Sequence, residues 1–576
     1  MQRTLGERKG GPVALLRAAV VLLAALVMLS ACSSIPMSGP VGTSQGEEPQ
    51  TEAAEYTFNP PGPVPGADPK AIVDGFLLAG TAAQDDYRTA REFLAPSLAG
   101  EWQPVERTVV YRNSVNIVGS PTDTEFVVQL EVASVIDEHG IREPAEEGAT
   151  ESVPVVLTDV DGEWRIAEIP DGTMVSNVDF QTLFSAYNLY FYDATYTYAV
   201  PDVRWYASRQ GVSAAIVSSL LEGPAPYLSG AVISAFPEGS TLVRRSVPVE
   251  SGAATVDLSA EVLTGTTFLR RQQMQQQLEL TLGGLNTVST VHMTVDQREV
   301  DLGPSPDPAF QAAVTNPAVG SLQIGVLDNE LTFYEGSRPV EPQNLPAVSE
   351  LNPRDPAMSL DQEHFGFLNA RRNRMYVIGP DRTAHQAVAG TQLTAPSVDP
   401  FGWTWTAAGD QSGAVYAIAP DEERTRVDIT AQWFSERTIE ELRISREGAR
   451  ALVIAREGDE SKVYVAGVVR DQDGQPRSIS TPIELDASVP ADSGVWANES
   501  TVIVMQSSAD EPVETEILRL DGGSQRMAPL TGMLDISAGN GDQDVYAQTE
   551  EALYIRVGNS WAPQPPPLVI DPSFPG

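Results

Sequence analysis

Three kinds of side chain in this sequence could do chemistry: one thiol, one serine in a nucleophile-like setting, and many carboxylates. The thiol is Cys32, the single cysteine of 576 residues. It follows Leu29-Ser30-Ala31, at the end of an apolar run from Ala18 to Leu29, and Arg3, Arg8, Lys9 and Arg17 precede that run. A basic start, a short apolar stretch and small residues at the cut mark an export signal. The run is too short to span a bilayer, which takes about 20 apolar residues. With one cysteine, neither a disulfide framework nor a thiolate metal site can form within the chain. The serine is Ser44, in Gly42-Thr43-Ser44-Gln45-Gly46. G-x-S-x-G makes a nucleophile only on a strained strand-to-helix turn. No strand pattern precedes Ser44 and no helix pattern follows, so the match is read as chance.

The carboxylates form no catalytic or metal-binding constellation. Asp159-Val160-Asp161-Gly162, Asp471-Gln472-Asp473-Gly474 and Gly539-Asn540-Gly541-Asp542-Gln543-Asp544 imitate calcium loops. They lack the distal glutamate and the tandem repetition such sites need, and read as hairpin turns. Asp361 and Asp399 each follow a serine by two residues and precede a glycine, the pattern of a turn before a strand. Asp257 has no second acid or histidine placed beside it by sequence and reads as a strand-end residue. His139 reads as a solvated loop residue; His364 and His385 lack metal-ligand spacing. The expectation is a non-enzyme with no catalytic residues, no metal and no cofactor.

Leu29-Ser30-Ala31-Cys32 resembles the bacterial lipobox. The resemblance implies that residues 1–31 are a lipoprotein signal peptide cut after Ala31. Cys32 then carries an S-diacylglycerol on its sulfur and an acyl chain, such as palmitate, on its amine. Each buried CH₂ contributes about 0.8 kcal/mol of membrane affinity, so a few such chains anchor a protein without a spanning helix. The rest of the chain is expected on the extracytoplasmic face of the cell membrane.

Residues 32–576 have room for roughly three domains at ~100–200 residues each, and 42% apolar residues is a globular composition. The net charge is −41, from 78 acidic and 37 basic residues. Nucleic-acid binders carry basic patches, so no nucleic-acid partner is expected. The acids are scattered, as solubility requires.

The elements that must hold these residues follow in order. Residues 32–67, polar and ending in Pro60, Pro61, Pro63 and Pro65, read as a flexible tether. Residues 68–204 read as an α+β domain of the nuclear-transport-factor-2-like (NTF2-like) type. Asp68 caps a helix that Pro69 opens and Gly80 ends, with Ile72, Val73, Phe76 and Leu77 on one face. A second helix is predicted from Asp85 to before Pro96. Phe126, Val128, Leu130 and Val132 alternate as in a half-buried strand, and Asp161-Gly162 marks a hairpin. The aromatics from Phe184 to Tyr206 read as a paired strand in an interdomain seam. Residues 205–302 show a helix from Val212 to Leu220 stopped by Gly223-Pro224. Strands over Thr241–Val249 and Ala254–Ser259, a Gln-rich helix from Phe268 to Leu282 and a strand over Val288–Val295 complete the pattern.

Leu221-Glu222-Gly223-Pro224, Pro237-Glu238-Gly239-Ser240-Thr241, Val256-Asp257-Leu258-Ser259 and the Gln-rich helix together resemble a GerMN domain. The resemblance implies a non-catalytic α+β binding module. Residues 303–317 are a proline-rich linker. From 318 to 570 short apolar strands recur in pairs: Phe365–Leu368 with Met375–Ile378, Trp403–Ala407 with Ala414–Ile418, Ala451–Ala455 with Lys462–Val465. Recurring four-strand units predict an all-β propeller of about six blades.

In this order, lipobox, α+β domain, GerMN-like domain and propeller resemble the actinobacterial LpqB lipoprotein family, and Ser33-Ser34-Ile35-Pro36 after the cysteine fits. The resemblance implies an accessory of the MtrA–MtrB two-component system that contacts the extracytoplasmic domain of the sensor kinase MtrB. Its implied outputs are cell division and envelope homeostasis. The alternative is a cell-wall carbohydrate or peptidoglycan binder, with or without hydrolase activity.

Overall fold

The computed structural model describes residues 59–120, 124–209, 211–304, 309–340, 345–471 and 473–576. Ala31, Cys32 and Ser44 lie outside the described residues.

Helix α1 (Pro69–Ala79) begins where Asp68 accepts the backbone N–H of Ala71 at 2.9 Å, and it buries Ile72, Val73 and Phe76. The predicted second helix does not run from Asp85. Asp85, Asp86 and Tyr87 hold φ of 49°, 56° and 57°, so only α2 (Arg88–Arg91) is helical there, followed by α3 (Pro96–Ala99). Between them Ala95 N–H donates to Ile166 O at 2.7 Å and Ile166 N–H to Phe93 O at 2.9 Å. Sheet hydrogen bonds replace those of a longer helix.

That sheet contains β1 (Thr108–Val118), β2 (Glu125–Ile136), β3 (Arg142–Pro144), β4 (Thr150–Val160), β5 (Glu163–Glu168) and β6 (Thr173–Ser176), in the order β5-β4-β2-β1-β6 with β3 also on β2. Burial alternates along β2 as its apolar period requires. Asp161 and Gly162, both at positive φ, close the β4–β5 hairpin. Pro60 is buried and Gly66 N–H donates to Glu163 at 3.0 Å. The end of the expected tether, from about residue 60, is therefore part of this domain rather than free chain.

The expected boundary at 204/205 also moves. Helix α4 (Asn177–Leu183) ends the first domain, and β7 (Phe184–Tyr192) pairs over its whole length with β8 (Ala199–Ala207). Leu189, Phe191, Tyr192 and Val200 of this hairpin are buried in one cluster with Ile216 and Leu220 of α5 (Val212–Glu222) and Met274 and Leu278 of α6 (Phe268–Leu282). The aromatic run fills the core of the second domain and its seam.

The second domain's sheet is β9 (Val249–Glu250), β10 (Ala253–Leu258), β11 (Thr290–Val295) and β12 (Arg298–Glu299), with α6 as the crossover between parallel β10 and β11. Of the expected strand Thr241–Val249 only Val249 is in a strand, as the start of β9. Only Leu242 bridges to Leu258, and Val243, Arg244, Arg245 and Ser246 are exposed. Leu242, Val247 and Val249 still reach the core, with the exposed Val243–Ser246 stretch looped out between them. The glutamines of α6 work as backbone partners. Gln277 bonds Tyr190 O and Ala235 N–H, both at 2.8 Å, and Gln276 bonds both backbone groups of Ala313. Val314 pairs with β8 through Ala199 N–H at 3.0 Å, so the predicted linker is docked rather than loose.

The third domain is a six-bladed propeller. Five blades follow in chain order, starting at Pro353, Ser397, Thr438, Ser493 and Asp535. The remaining blade combines Leu322–Leu327, Glu330–Glu335 and Arg338–Val340 with Ile570–Ser573, the last strand of the chain. That strand lies innermost in its blade, antiparallel to Leu322–Leu327. The domain thus runs to residue 573, past the expected end at 570, because the ring closes only when the C-terminal strand joins the first blade.

All described residues belong to one compact unit, Glu55–Gly576. The hydrophobic cluster of the second domain continues into Leu452, Ile454, Val502 and Leu518 of the propeller. Tyr190 OH donates to Glu499 at 2.8 Å, and Trp205 Nε1 donates to Asp521 O at 3.1 Å. A Cβ at Gly467 would stand 2.7 Å from Tyr227 O; only glycine permits that approach. Inside the second domain Arg204 and Asp202 form a fully buried fork at 3.0 and 2.6 Å. Arg204 also donates to His139 O at 2.8 Å, reaching into the first domain.

Candidate functional site

The innermost strands of the blades line a central channel, and one mouth of it widens into a cavity of about 790 Å³. The inner strands contribute Asp355, Asp535 and Asp571 near their starts, and Glu441 and Arg443 further along Thr438–Ile444. The opposite strand ends face the second domain, where Glu499 meets Asn316 N–H at 2.9 Å and Phe401 meets Tyr198 at 6.0 Å between ring centroids. Arg446, 6% exposed, closes the deep end of the cavity by donating to Ala538 O at 2.9 Å and Gly539 O at 2.8 Å. Burial lowers its pKa to about 10. The deep end of the cavity is thus closed within the propeller, by Arg446.

Most of the charge at the open mouth is paired. Arg372 forks onto Asp355 at 2.9 and 2.6 Å. Arg456 forks onto Glu440 at 2.8 and 2.5 Å. Arg443 Nε lies 2.9 Å from Glu441 Oε1, and Arg443 also donates to Pro396 O at 2.9 Å. Asp535 and Asp571 make no ion pair among the described residues; Asp571 accepts the N–H of Asp355 at 3.1 Å. Burial, and then the charge of Asp571, push the Asp535 carboxyl up to about 8. Burial and the charge of Asp355 push Asp571 up to about 6. Burial raises Glu441 as well. Removing a carboxylate from water disfavours its charged form, and a second negative charge adds to the effect. With its carboxyl raised to about 8, Asp535 is the one acid of this mouth that holds a proton to give at neutral pH.

The residues weighed from sequence lie elsewhere. Asp399 is fully buried and accepts from Phe401 N–H, Trp403 N–H and Trp405 Nε1 at 2.9, 3.0 and 2.9 Å, and it also pairs with Arg470. Asp361 accepts Glu363 N–H at 3.0 Å. Both shape turns between inner and second strands. Asp257 accepts Thr294 Oγ1 and Gln297 N–H, each at 2.9 Å, at the end of β10. Asp159 accepts Gly162 N–H at 2.9 Å, Asp471 accepts Gln475 N–H at 3.0 Å, and Asp544 accepts Asn540 N–H at 3.2 Å. His139 is partly exposed beside Glu138, and His385 Nε2 sits 2.8 Å from Asp381 on the surface. Among the described residues no group of three or more metal-ligating side chains converges.

Asp535, Asp571 and Glu441 carried no motif. The available signal was positional: each stands on a blade's innermost strand, Asp535 and Asp571 at or next to its first residue and Glu441 in its middle, a place that is defined only once the blades are counted.

Three family models match the chain. "Lipoprotein LpqB, N-terminal domain" matches residues 62–181, "Sporulation and spore germination" matches 188–301, and "Lipoprotein LpqB beta-propeller domain" matches 330–575. Among curated relatives, Lipoprotein LpqB of Thermobifida fusca (strain YX) is 26% identical, over 88% of this chain and 90% of the relative. Lipoprotein LpqB of Rhodococcus opacus (strain B4) is 26% identical, over 86% of this chain and 85% of the relative. Among solved structures, the tandem GerMN domains of the sporulation protein GerM from Bacillus subtilis are 12% identical, over 28% of this chain and 63% of that one, with a TM-score of 0.17.

Proposed function

The chain belongs to the LpqB lipoprotein family, and from that premise we propose that it is a lipid-anchored extracytoplasmic accessory that binds the sensor kinase MtrB and modulates MtrA–MtrB signalling. The observation that supports this most is the charged cavity at the channel mouth of a propeller packed against the second domain. The second domain and the propeller share a hydrophobic cluster, so a partner meets one rigid body. Such a body changes a kinase equilibrium only by binding one conformer of the sensor more tightly than another. The protein acts by contact, not by turnover, and its lipid anchor on Cys32 holds it beside the sensor at the membrane. The test pairs residues 32–576 with the purified extracytoplasmic part of the sensor. Association, together with altered regulator phosphorylation on deletion, is expected. Neither effect occurring would sink the proposal.

A second reading has one observation in its favour. Asp535 keeps its proton near neutral pH in an open cavity, as the acid of a glycoside hydrolase does. On that reading the protein binds cell-wall carbohydrate or peptidoglycan and cleaves it. A pull-down on purified cell wall, followed by a reducing-end assay on the bound fraction, separates the two readings.

A further inference from the structure

We propose that the looped-out stretch Val243–Ser246 of the second domain, together with Arg209, is a second membrane contact, docking on the phosphates of anionic phospholipid headgroups. The inference rests on the reading that Cys32 is lipid-anchored, which brings this surface to a bilayer.

The excursion is held at both ends and free in the middle. Val243 N–H donates to Asp257 O, and Thr255 N–H donates to Pro248 O, each at 2.9 Å. Val247 is buried, and its carbonyl accepts Ser213 Oγ at 3.3 Å, which ties the loop to the first turn of α5. Arg209 stands just before that turn. Between these points Val243, Arg244, Arg245 and Ser246 are exposed, Val243 by 52%.

The charge is not compensated from within. The guanidinium groups of Arg209, Arg244 and Arg245 make no hydrogen bond or ion pair among the described residues. The other consecutive basic pairs described differ. Arg270 and Arg271 donate to Ser234 O and Asp301 O at 2.6 and 3.1 Å, and Arg372, next to Arg371, forks onto Asp355. The acids around the loop are mostly committed. Asp257 is taken by Thr294 and Gln297. Asp85 and Asp86 of the first domain are held by Arg88 at 3.3 Å and Arg91 at 3.0 Å. Glu238 and Glu250 are exposed but lie outside the excursion, beyond its two ends. In a chain with 78 acidic and 37 basic residues, free cations side by side are the exception.

Two observations choose a bilayer over an acidic protein. The first is where the chain enters. Burial raises the pKa of the Tyr87 hydroxyl and the charge of Arg209 opposes the rise, so Arg209 sits near Tyr87, the residue that precedes α2. At the other end of α2, Gly62 lies against Glu92; a Cβ there would stand 2.5 Å from Oε2. Only α2, about 6 Å long, separates the entry of the anchored chain from Arg209. The second is exposed Val243 beside the arginines, an apolar and cationic pairing suited to the headgroup boundary.

Screening confines each charge to about 8 Å, so the acids elsewhere do not cancel this side. An arginine near an anionic surface gains about fivefold in residence there. Three of them cannot hold so acidic a protein alone, but they orient one that its anchor already keeps close.

The test couples the thiol of Cys32 in residues 32–576 to a maleimide lipid. The vesicles are of phosphatidylcholine alone or with phosphatidylglycerol added, and amide exchange is read. The coupling is chemical, so the result is independent of acylation in the cell, which palmitate labelling judges separately. Exchange at residues 244–247 should be at least about twofold slower on the phosphatidylglycerol vesicles. The slowing should vanish in the variant carrying Arg244→Gln and Arg245→Gln, and in about 1 M salt. Both changes are on exposed side chains, so the variant is expected to fold. Equal exchange on the two vesicles, or slowing that persists in the variant, overturns the proposal. Equal slowing of the lipid-free chain by inorganic phosphate would show a free-anion site and overturn membrane docking.

Discussion

Tyr190 donates its hydroxyl to Oε1 of Glu499 at 2.8 Å, across the seam between the second domain and the propeller. Asn316 N–H holds the other oxygen of Glu499 at 2.9 Å, and Glu499 N–H donates back to Asn316 Oδ1 at 3.1 Å. Burial raises the pKa of both Glu499 and Tyr190, so each depends on its hydrogen bond. Three segments far apart in sequence meet at one carboxylate.

Tyr190→Phe removes one of these bonds and leaves a partly buried oxygen without a donor. A loss of about 1–2 kcal/mol is expected in denaturant unfolding. Amide exchange should quicken at residues 190–192 and 498–501 and stay unchanged in the blade that starts at Pro353. Exchange that quickens evenly over the chain would mean the bond is not a local latch.

Arg204 and Asp202 are 2% and 0% exposed. Asp202→Ala strands a buried guanidinium and also the N–H of Ala225, which bonds Asp202 at 2.8 Å. The expected loss is about 3–5 kcal/mol. Asp202→Leu combined with Arg204→Met should lose less than the sum of the single changes. An additive double variant, measured by urea unfolding, would show that the two side chains do not act as a pair.

Asp535 gives a pH signature. Its carboxyl in the folded protein is raised to about 8, above the ordinary aspartate value of about 3.9. Its favourable contribution is full below about pH 4 and is lost as pH rises through about 8. The loss is about 1.4 kcal/mol per unit of displacement. Asp535→Asn carries no charge at any pH, so its stability relative to wild type should improve between about pH 5 and about pH 8.5. Parallel stability curves for the two proteins would contradict this.

Cys32→Ser removes the proposed acylation site. The altered protein is expected in the soluble extracytoplasmic or secreted fraction, unlabelled by radioactive palmitate, whereas wild type partitions with the membrane. Labelled protein in the altered strain would place the lipid elsewhere.

Local patterns were legible. The cap at Asp68, the stop at Gly223, the span of α6 and the strand pairs of the blades depend on residues within a few turns of one another. Failures came where distant contacts override local preference. Phe93 and Leu94 have helical spacing, yet the edge of β5 takes them into the sheet. The aromatic run at 184–207 reads as a paired strand, but which core the hairpin fills depends on α5 and α6.

From sequence alone come the order of the three domains, the family and the single cysteine behind a basic and then apolar start, because each is written in a contiguous stretch. The charged channel mouth is different. Asp355 and Asp571 touch across 216 positions of chain, and they meet only after the last strand closes the ring. The raised carboxyl of Asp571 arises from burial and the charge of Asp355, and that of Asp535 from burial and the charge of Asp571. Neither exists until the blades are assembled, so no local pattern could have announced them.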